Sequence, residues 1–440
     1  MNKILLSSVL MVIICISAFS SCKERMGKVD PPVIPKPVTE VDSPVVLTVY
    51  LENSGSMDGY VNGYTGFKQT IYYYLTELRD KVTSSIHLFY INSKVISMGN
   101  DIKTYIHNTT PTIFKAGGGN LGTSDIATVL DTLLSRRKKD EVALFISDCV
   151  VSPGKKYAIH PNYINGYLLQ QCTDMTSVFR RELNKDKDLT VAICQLQSHF
   201  DGKFFNKIDQ WRDYKGERPF YFWLIGSTQQ IKYIMDKIPW SDFNGKGAKV
   251  ENLYVLTSLE QQVKYAVVKT GCWGSFEYEH SRGVADTSKT ICKVKKENKG
   301  KNAGKFRFSI GVDLDCFPLD NSYLQNSDNY EVNNKDYSLE VKKMSSDNFS
   351  HQVSLTTEII SPCQITVSLK NKLPDWVNEK TDFIGQDLII DKAENKTFGL
   401  KYLVEGVYKA FVDTKSSDDY AQFIVCLLYT SPSPRDLSTS

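Results

Sequence analysis

The amino-acid sequence predicts an α/β domain built on a doubly wound, mostly parallel sheet, followed by a β-rich, sandwich-like domain. Three observations carry this reading. The chain has 440 residues, enough for two or three domains that each bury a core of their own. From Pro44 to about Trp240, apolar runs of strand length alternate with segments of helical period, the pattern of a sheet with covering helices. After about residue 250 the apolar period changes to two, the period of half-buried strands.

The first domain is expected over residues 45–240. Val45–Leu51 is a continuous apolar strand, as a sheet covered on both faces requires. Phe67–Val82 then sets Ile71, Tyr74, Leu75 and Leu78 on one helical face. Tyr72, Tyr73 and Tyr74 are adjacent on that helix, so only part of the run can face one ligand. Ile86–Ile91 and Lys94–Met98 are short strands separated by Asn92-Ser93, a tight-hairpin signal. Ser124–Leu134 reads as a helix, and Arg136–Lys139 put cations at its carboxyl end. Glu141–Val151 is a second buried strand, followed by Gly154 and a helix around Tyr167–Leu183. Leu189–Leu196 and Pro219–Ile225 are further buried strands, and Thr228–Ile238 closes the domain with a helix.

The β-rich domain is expected over residues 250–425. Phe306, Phe308, Ile310, Val312 and Leu314 alternate with polar residues, and so do Cys363, Ile365, Val367 and Leu369. Lys293–Lys305 is rich in Lys, Asn and Gly and reads as a solvated loop. Cys149 and Cys194 fall inside apolar strands, where a free buried thiol is expected. Cys272, Cys292, Cys316 and Cys363 could pair, but no spacing demands it. No Cys-x-x-Cys occurs, which argues against a thiolate zinc site.

Both ends of the chain read as segments outside the fold. Residues 1–21 carry Lys3 and an apolar run ending Ala18-Phe19-Ser20-Ser21 ahead of Cys22, which resembles a bacterial lipoprotein signal peptide. That resemblance implies lipidation at Cys22 and a membrane anchor in the bacterial cell envelope, with the periplasmic or surface-exposed leaflet left open. A plain secretory signal or a signal anchor is the other reading. Residues 22–44 hold Pro31, Pro32, Pro35, Pro37 and Pro44, the composition of an extended tether. Residues 426–440 resemble a translated sequencing or assembly artefact, so the β-rich domain is expected to be truncated at Val425.

The chemistry concentrates where the first strand ends. There the chain reads Glu52-Asn53-Ser54-Gly55-Ser56-Met57, with an oxygen-bearing side chain at every second residue. In a doubly wound sheet, ligands sit beyond the carboxyl ends of the strands. Thr123 opens a helix after Gly117-Gly118-Gly119-Asn120-Leu121-Gly122, and Asp148 follows the apolar strand Val142–Ser147. Three segments thus deliver hydroxyls and two carboxylates to one edge. Oxygen donors of low total charge suit a hard divalent cation, Mg²⁺ first and Mn²⁺ or Ca²⁺ next.

At these residues the sequence resembles the von Willebrand factor A (VWA) domain and its metal-ion-dependent adhesion site. The family's first motif, Asp-x-Ser-x-Ser, is matched by Glu52-Asn53-Ser54-Gly55-Ser56. Its Thr after glycines is matched by Thr123, and its Asp after an apolar strand by Asp148. The resemblance covers residue 45 to about 240 and departs from the family at Glu52, which reaches about 1.5 Å further than Asp. It implies a Rossmann-like fold in which Ser54, Ser56 and Thr123 are direct metal ligands. Glu52 and Asp148 would act through water or orient the hydroxyls. It also implies an open metal position filled by an exposed acidic side chain of a partner protein.

The expected function is therefore an envelope-anchored binding or adhesion module, not an enzyme. The alternatives are a metal-free envelope scaffold with a degenerate site, whose hydroxyls cap backbone groups, and a metal-dependent hydrolase. There is no Gly-x-Ser-x-Gly elbow, Walker-type loop or His-Glu-x-x-His motif. The composition, 41% hydrophobic and 23% charged, is that of an ordinary globular protein, and a net charge of +3 does not favour nucleic acid. Asp58 and Asp125 are accounted for by a turn and a helix start, and His199 and Asp201 by a surface loop at the same edge. Cys22→Ser is expected to release the chain from membranes and abolish acyl labelling. Metabolic labelling with an acyl probe and fractionation check this, and an acylated mutant would rule out the lipoprotein.

Overall fold

A computed structural model describes residues 45–122, 125–154, 161–258, 262–280, 287–385, 395–415 and 418–428. The expected signal peptide, Cys22, the tether and Thr123 lie outside the described residues. The described residues form a mixed α/β body and a pair of antiparallel-rich sheets.

Among the described residues the α/β body holds seven strands. They are β1 (Val46–Glu52), β2 (Ile86–Ile91), β3 (Val95–Ser97), β4 (Glu141–Ser147), β5 (Leu189–Phe205), β6 (Trp211–Ser227) and β7 (Lys249–Thr257). Their order is β3-β2-β1-β4-β6-β5-β7. β1 is parallel to β2 and to β4, β6 is antiparallel to β4, and β5 is antiparallel to β6. β1, β2, β4 and β5 therefore point the same way. The physical reason for the reversed β6 is that β5 and β6 form one long hairpin, which enters the sheet as a unit. His199 and Asp201, expected in a loop, instead lie in β5 opposite Glu217 and Lys215.

Successive strand residues feed two cores, because side chains alternate across a sheet. Leu47, Val49 and Leu51 pack with Phe67, Ile71, Leu75 and Leu78 of α2 (Gly66–Lys81), which follows the short α1 (Asp58–Val61). The same face takes α3 (Ile102–Asn108) and α4 (Pro111–Ala116), started by Asp101 and Thr110 caps. On the other face Tyr50, Ala143, Phe145 and Trp223 pack under α5 (Ile126–Arg136) and α6 (Pro161–Lys185). α7 (Thr228–Lys237) opens with a capping box made by Ser227 and Gln230.

The second assembly contains β8 (Tyr265–Trp273), β9 (Ser275–Tyr278), β10 (Thr290–Lys295), β11 (Phe306–Val312), β12 (Tyr330–Val332), β13 (Tyr337–Lys343), β14 (His351–Thr357) and β15 (Cys363–Lys370). A short helix α8 (Asn321–Gln325) precedes β12. After β15 the chain makes α9 (Asp375–Glu379), the two-residue strands β16 (Thr381–Asp382) and β17 (Thr397–Phe398), α10 (Leu400–Thr414) and β18 (Asp419–Leu427). The sheets β12-β15-β18-β10-β9 and β13-β14-β11-β8 share one core, with Phe308, Ile310, Leu355, Val367 and Phe423 at its centre. Among the described residues every cysteine is free.

Three features depart from the expected organisation. β7 lies beyond residue 240 and pairs with β5. The helix α10, in a stretch read as β-rich, lays Leu403, Val404, Val407 and Phe411 into the core beneath α6. β18 also runs through Cys426 and Leu427, two residues past the expected end, pairing with Cys363 and Gln364. Among the described residues no helix is long and apolar enough to cross a membrane.

The α6–α10 contact is close because Gly406 has no side chain. A Cβ there would lie 2.6 Å from the Cys172 carbonyl oxygen and 2.6 Å from Met175 Cβ. Gly406→Val is expected to cost about 1–3 kcal/mol through overpacking. Urea unfolding followed by tryptophan fluorescence measures it, Trp223 lying in the affected core.

Candidate metal centre

Glu52, Ser54, Ser56 and Asp148 come together in the structure. β1 and β4 are adjacent and parallel, in register Leu51↔Ile146, so their carboxyl ends finish side by side. Glu52 is 1% exposed, and its Oε2 accepts a hydrogen bond from the Ser147 hydroxyl. Ser147 Oγ in turn accepts from the Cys149 amide at 2.7 Å. The first carboxylate is thereby tied to the neighbouring strand.

The chain then turns into a single 3₁₀ turn at Gly55–Met57 and on into α1. Asn53 anchors this turn, its amide donating to Ile91 O and its Nδ2 to Phe114 O. The Gly55 amide donates to Leu121 O at 2.9 Å, which brings the glycine-rich run against the motif. Thr123 lies outside the described residues, but its flanks are placed. Gly122 borders the same cavity as Ser54 and Ser56, and Asp125 caps α5 by accepting from the Thr128 amide.

Ser54 Oγ and Ser56 Oγ lie 3.0 Å apart. The Ser56 hydroxyl also hydrogen-bonds the Asp148 carboxylate, which accepts from the Val150 amide at 3.1 Å. Asp148 is 2% exposed. Burial pushes its carboxyl above the usual aspartate range, while Val150, Ser56 and the Arg218 charge pull it part of the way back. A buried carboxylate that keeps a raised pKa is one whose charge is incompletely compensated.

Two contributors escaped the sequence reading. Arg218 is buried in β6, stacks 4.5 Å from the Phe204 ring centroid, and acts electrostatically on both Asp148 and Tyr60. Nothing in the sequence links it to Asp148; only the insertion of β6 beside β4 does. Asp209 reaches the site from the β5–β6 turn. With Phe205, Asn206 and Phe398 it borders a cavity of about 240 Å³ that Ser54 and Ser56 also line. His199 and Asp201 instead point to Glu217 and Lys215, 3.9 Å and 3.1 Å away. Asp58 is ion-paired with Lys115.

The two serine hydroxyls are hydrogen-bonded to each other at 3.0 Å, a separation that two cis ligands on an octahedral ion with bonds of about 2.1 Å would also have. Comparisons with family models, curated proteins and solved structures give no match.

Asp148 should respond to pH in a defined direction. Its folded pKa is raised, so the folded state holds this proton more tightly than the unfolded state does. Through this group stability rises as pH falls toward the ordinary aspartate value and is lost as pH climbs through the folded pKa. Asp148→Asn removes a buried charge and retains an acceptor for Val150. In chelator at pH 7 it should melt above the wild type, and the difference should shrink toward pH 4. Parallel calorimetric scans at the two pH values check both the sign and the trend.

Proposed function

We propose that this chain is an envelope-anchored binding module. Its α/β domain, VWA-like in its motif order, engages an acidic side chain of a protein partner through a divalent cation. The observation that carries this reading is the pair of serine hydroxyls at cis-ligand spacing beside a buried, under-compensated Asp148. Ser54 and Ser56 would hold the cation with Thr123, while Asp148 and Glu52 act through water or orient hydroxyls. When bound, the cation supplies an electrophile for a carboxylate. The chain's own groups do the rest. Glu52 fixes Ser147, the Gly55–Leu121 bond holds the motif turn, and the buried surroundings strengthen charge interactions. Attachment to the envelope would come from lipid on Cys22.

A metal-free scaffold is the second reading, and Arg218 favours it. A guanidinium near Asp148 supplies part of the positive charge that a cation would bring.

Calorimetric titration with Mg²⁺ and Mn²⁺ separates the two. On the binding reading the wild type takes up metal, and at a hundredfold excess over Kd it gains about 2.7 kcal/mol of apparent stability. Ser54→Ala and Thr123→Ala should lose most of that gain. Glu52→Asp should preserve or strengthen metal binding, because it restores the family's usual reach. The same change withdraws the carboxylate from Ser147 and should lower metal-free stability by about 2 kcal/mol. Equal melting with metal and with chelator, and no heat of binding, would leave the scaffold.

A further inference from the structure

We infer that Asp209, at the tip of the β5–β6 hairpin, makes entry of an acidic side chain conditional on the cation; this rests on the metal-site reading above. The hairpin is longer than the sheet needs. β4 pairs with β6 only over Tyr221–Ile225, and β7 pairs with β5 only over Thr190–Gln197. Beyond those positions the two strands pair with each other alone, from Ser198↔Arg218 out to Phe205↔Trp211. They form a two-stranded arm past the end of the sheet.

An isolated two-stranded ribbon is marginal, and this one is seated on the motif. A Cβ at Gly202 would lie 2.5 Å from Gly59 Cα, and one at Gly59 would lie 2.3 Å from Phe200 Cζ. Asn62 Nδ2 donates to Asp201 O at 3.0 Å, and the Tyr60 hydroxyl donates to Pro219 O. The arm therefore rides on α1, which follows directly from Ser54 and Ser56. Its tip is also fixed. Asn206 Oδ1 accepts from the Ile208 and Gln210 amides, and Asp209 adopts a left-handed φ of 58°.

This geometry aims a carboxylate at the cavity. The Ser152 hydroxyl, on the segment leaving β4, donates to Asp209 Oδ1 at 3.1 Å. Asp148 has Arg218 as a partial countercharge, whereas among the described residues no cation pairs with Asp209. An incoming carboxylate meets like charge at the mouth unless a divalent ion sits at Ser54 and Ser56, where two positive charges reverse the local sign.

The cavity's size sets the ligand class. At about 240 Å³ it falls just below the usual range of small-molecule pockets. It accommodates one hydrated ion and one side chain. Val151, Phe205 and Phe398 make its walls partly apolar, which suits the aliphatic stem of Asp or Glu.

The test is calorimetric titration of the full chain in detergent with the peptide acetyl-Ala-Glu-Ala-amide, with saturating Mg²⁺ and with chelator. Asn tolerates a left-handed backbone, so Asp209→Asn should fold. The wild type should bind peptide only with Mg²⁺. Asp209→Asn should bind Mg²⁺ about tenfold or more weakly, since a charge that repels a carboxylate attracts a dication, yet at saturating Mg²⁺ bind peptide about tenfold more tightly, and bind it measurably in chelator. Peptide affinities equal to wild type in both conditions, or no peptide binding by either protein in either, would overturn the gate. A wild type that takes up no Mg²⁺ would instead remove the metal reading, and the chelator arm would still decide the role of Asp209.

Discussion

The central sheet must be covered on both faces, and the rest of the structure answers that demand. β1 and β4 are buried along nearly their whole length, so alternate side chains enter two separate cores. One core is closed by α2, α3 and α4, which follow β1 locally in the chain. The other needs α5, α6 and also α10, which arrives only after most of the second assembly has been made. The apolar face of α6 would stand partly open to water without α10, because Val404, Val407 and Phe411 fill the space beneath it. Burying such side chains contributes about 1.5–3 kcal/mol each, which is ample reason for the chain to return.

This two-sided burial also decides what was legible in the sequence. A fully buried strand is a run of apolar residues, so β1, β4 and the inner halves of β5 and β6 declare themselves, while β2 is apolar except at the exposed His87. The helices α2, α5, α6 and α7 show a plain 3.6-residue period. α10 shows it too, with Leu400, Leu403, Val404, Val407 and Phe411 at helical spacing, but it sits among strands of period two and was absorbed into them. The small helices α3 and α4 offer too few turns for periodicity, although Asp101 and Thr110-Pro111 mark their starts. The arm was illegible for another reason: Phe200, Phe204 and Tyr214 turn one face into the core against α1, but Ser198, Gly202, Gly216 and Arg218 share that face and break the apolar alternation. Strand direction was hidden likewise, since an apolar run says nothing of which neighbour it joins.

For the candidate site, Glu52, Ser54, Ser56 and Asp148 could be read in advance because each follows its strand directly. Adjacent parallel strands place such residues together without any help from distant packing. Arg218 and Asp209 could not, since their approach depends on the reversed β6 and on the arm's seat over Gly59. The site thus has two layers: an oxygen-rich floor set by local sequence and a charged wall set by tertiary structure.

The position of β1 has a mechanical consequence. The chain enters β1 at Val46, and the same strand leads straight to Ser54 at its far end. On the proposed reading, a pull between the chain preceding Val45 and a partner held at the serines would run along this strand. β1 lies between two parallel neighbours, registered Leu47↔Ile86 to Glu52↔Ile91 on one side and Val46↔Glu141 to Leu51↔Ile146 on the other. Such tension enters and leaves at the two ends of one strand, so β1's covalent backbone carries most of it and little reaches either ladder. The element that carries the hydroxyls would thus also carry the load, and the rest of the fold would be largely spared it.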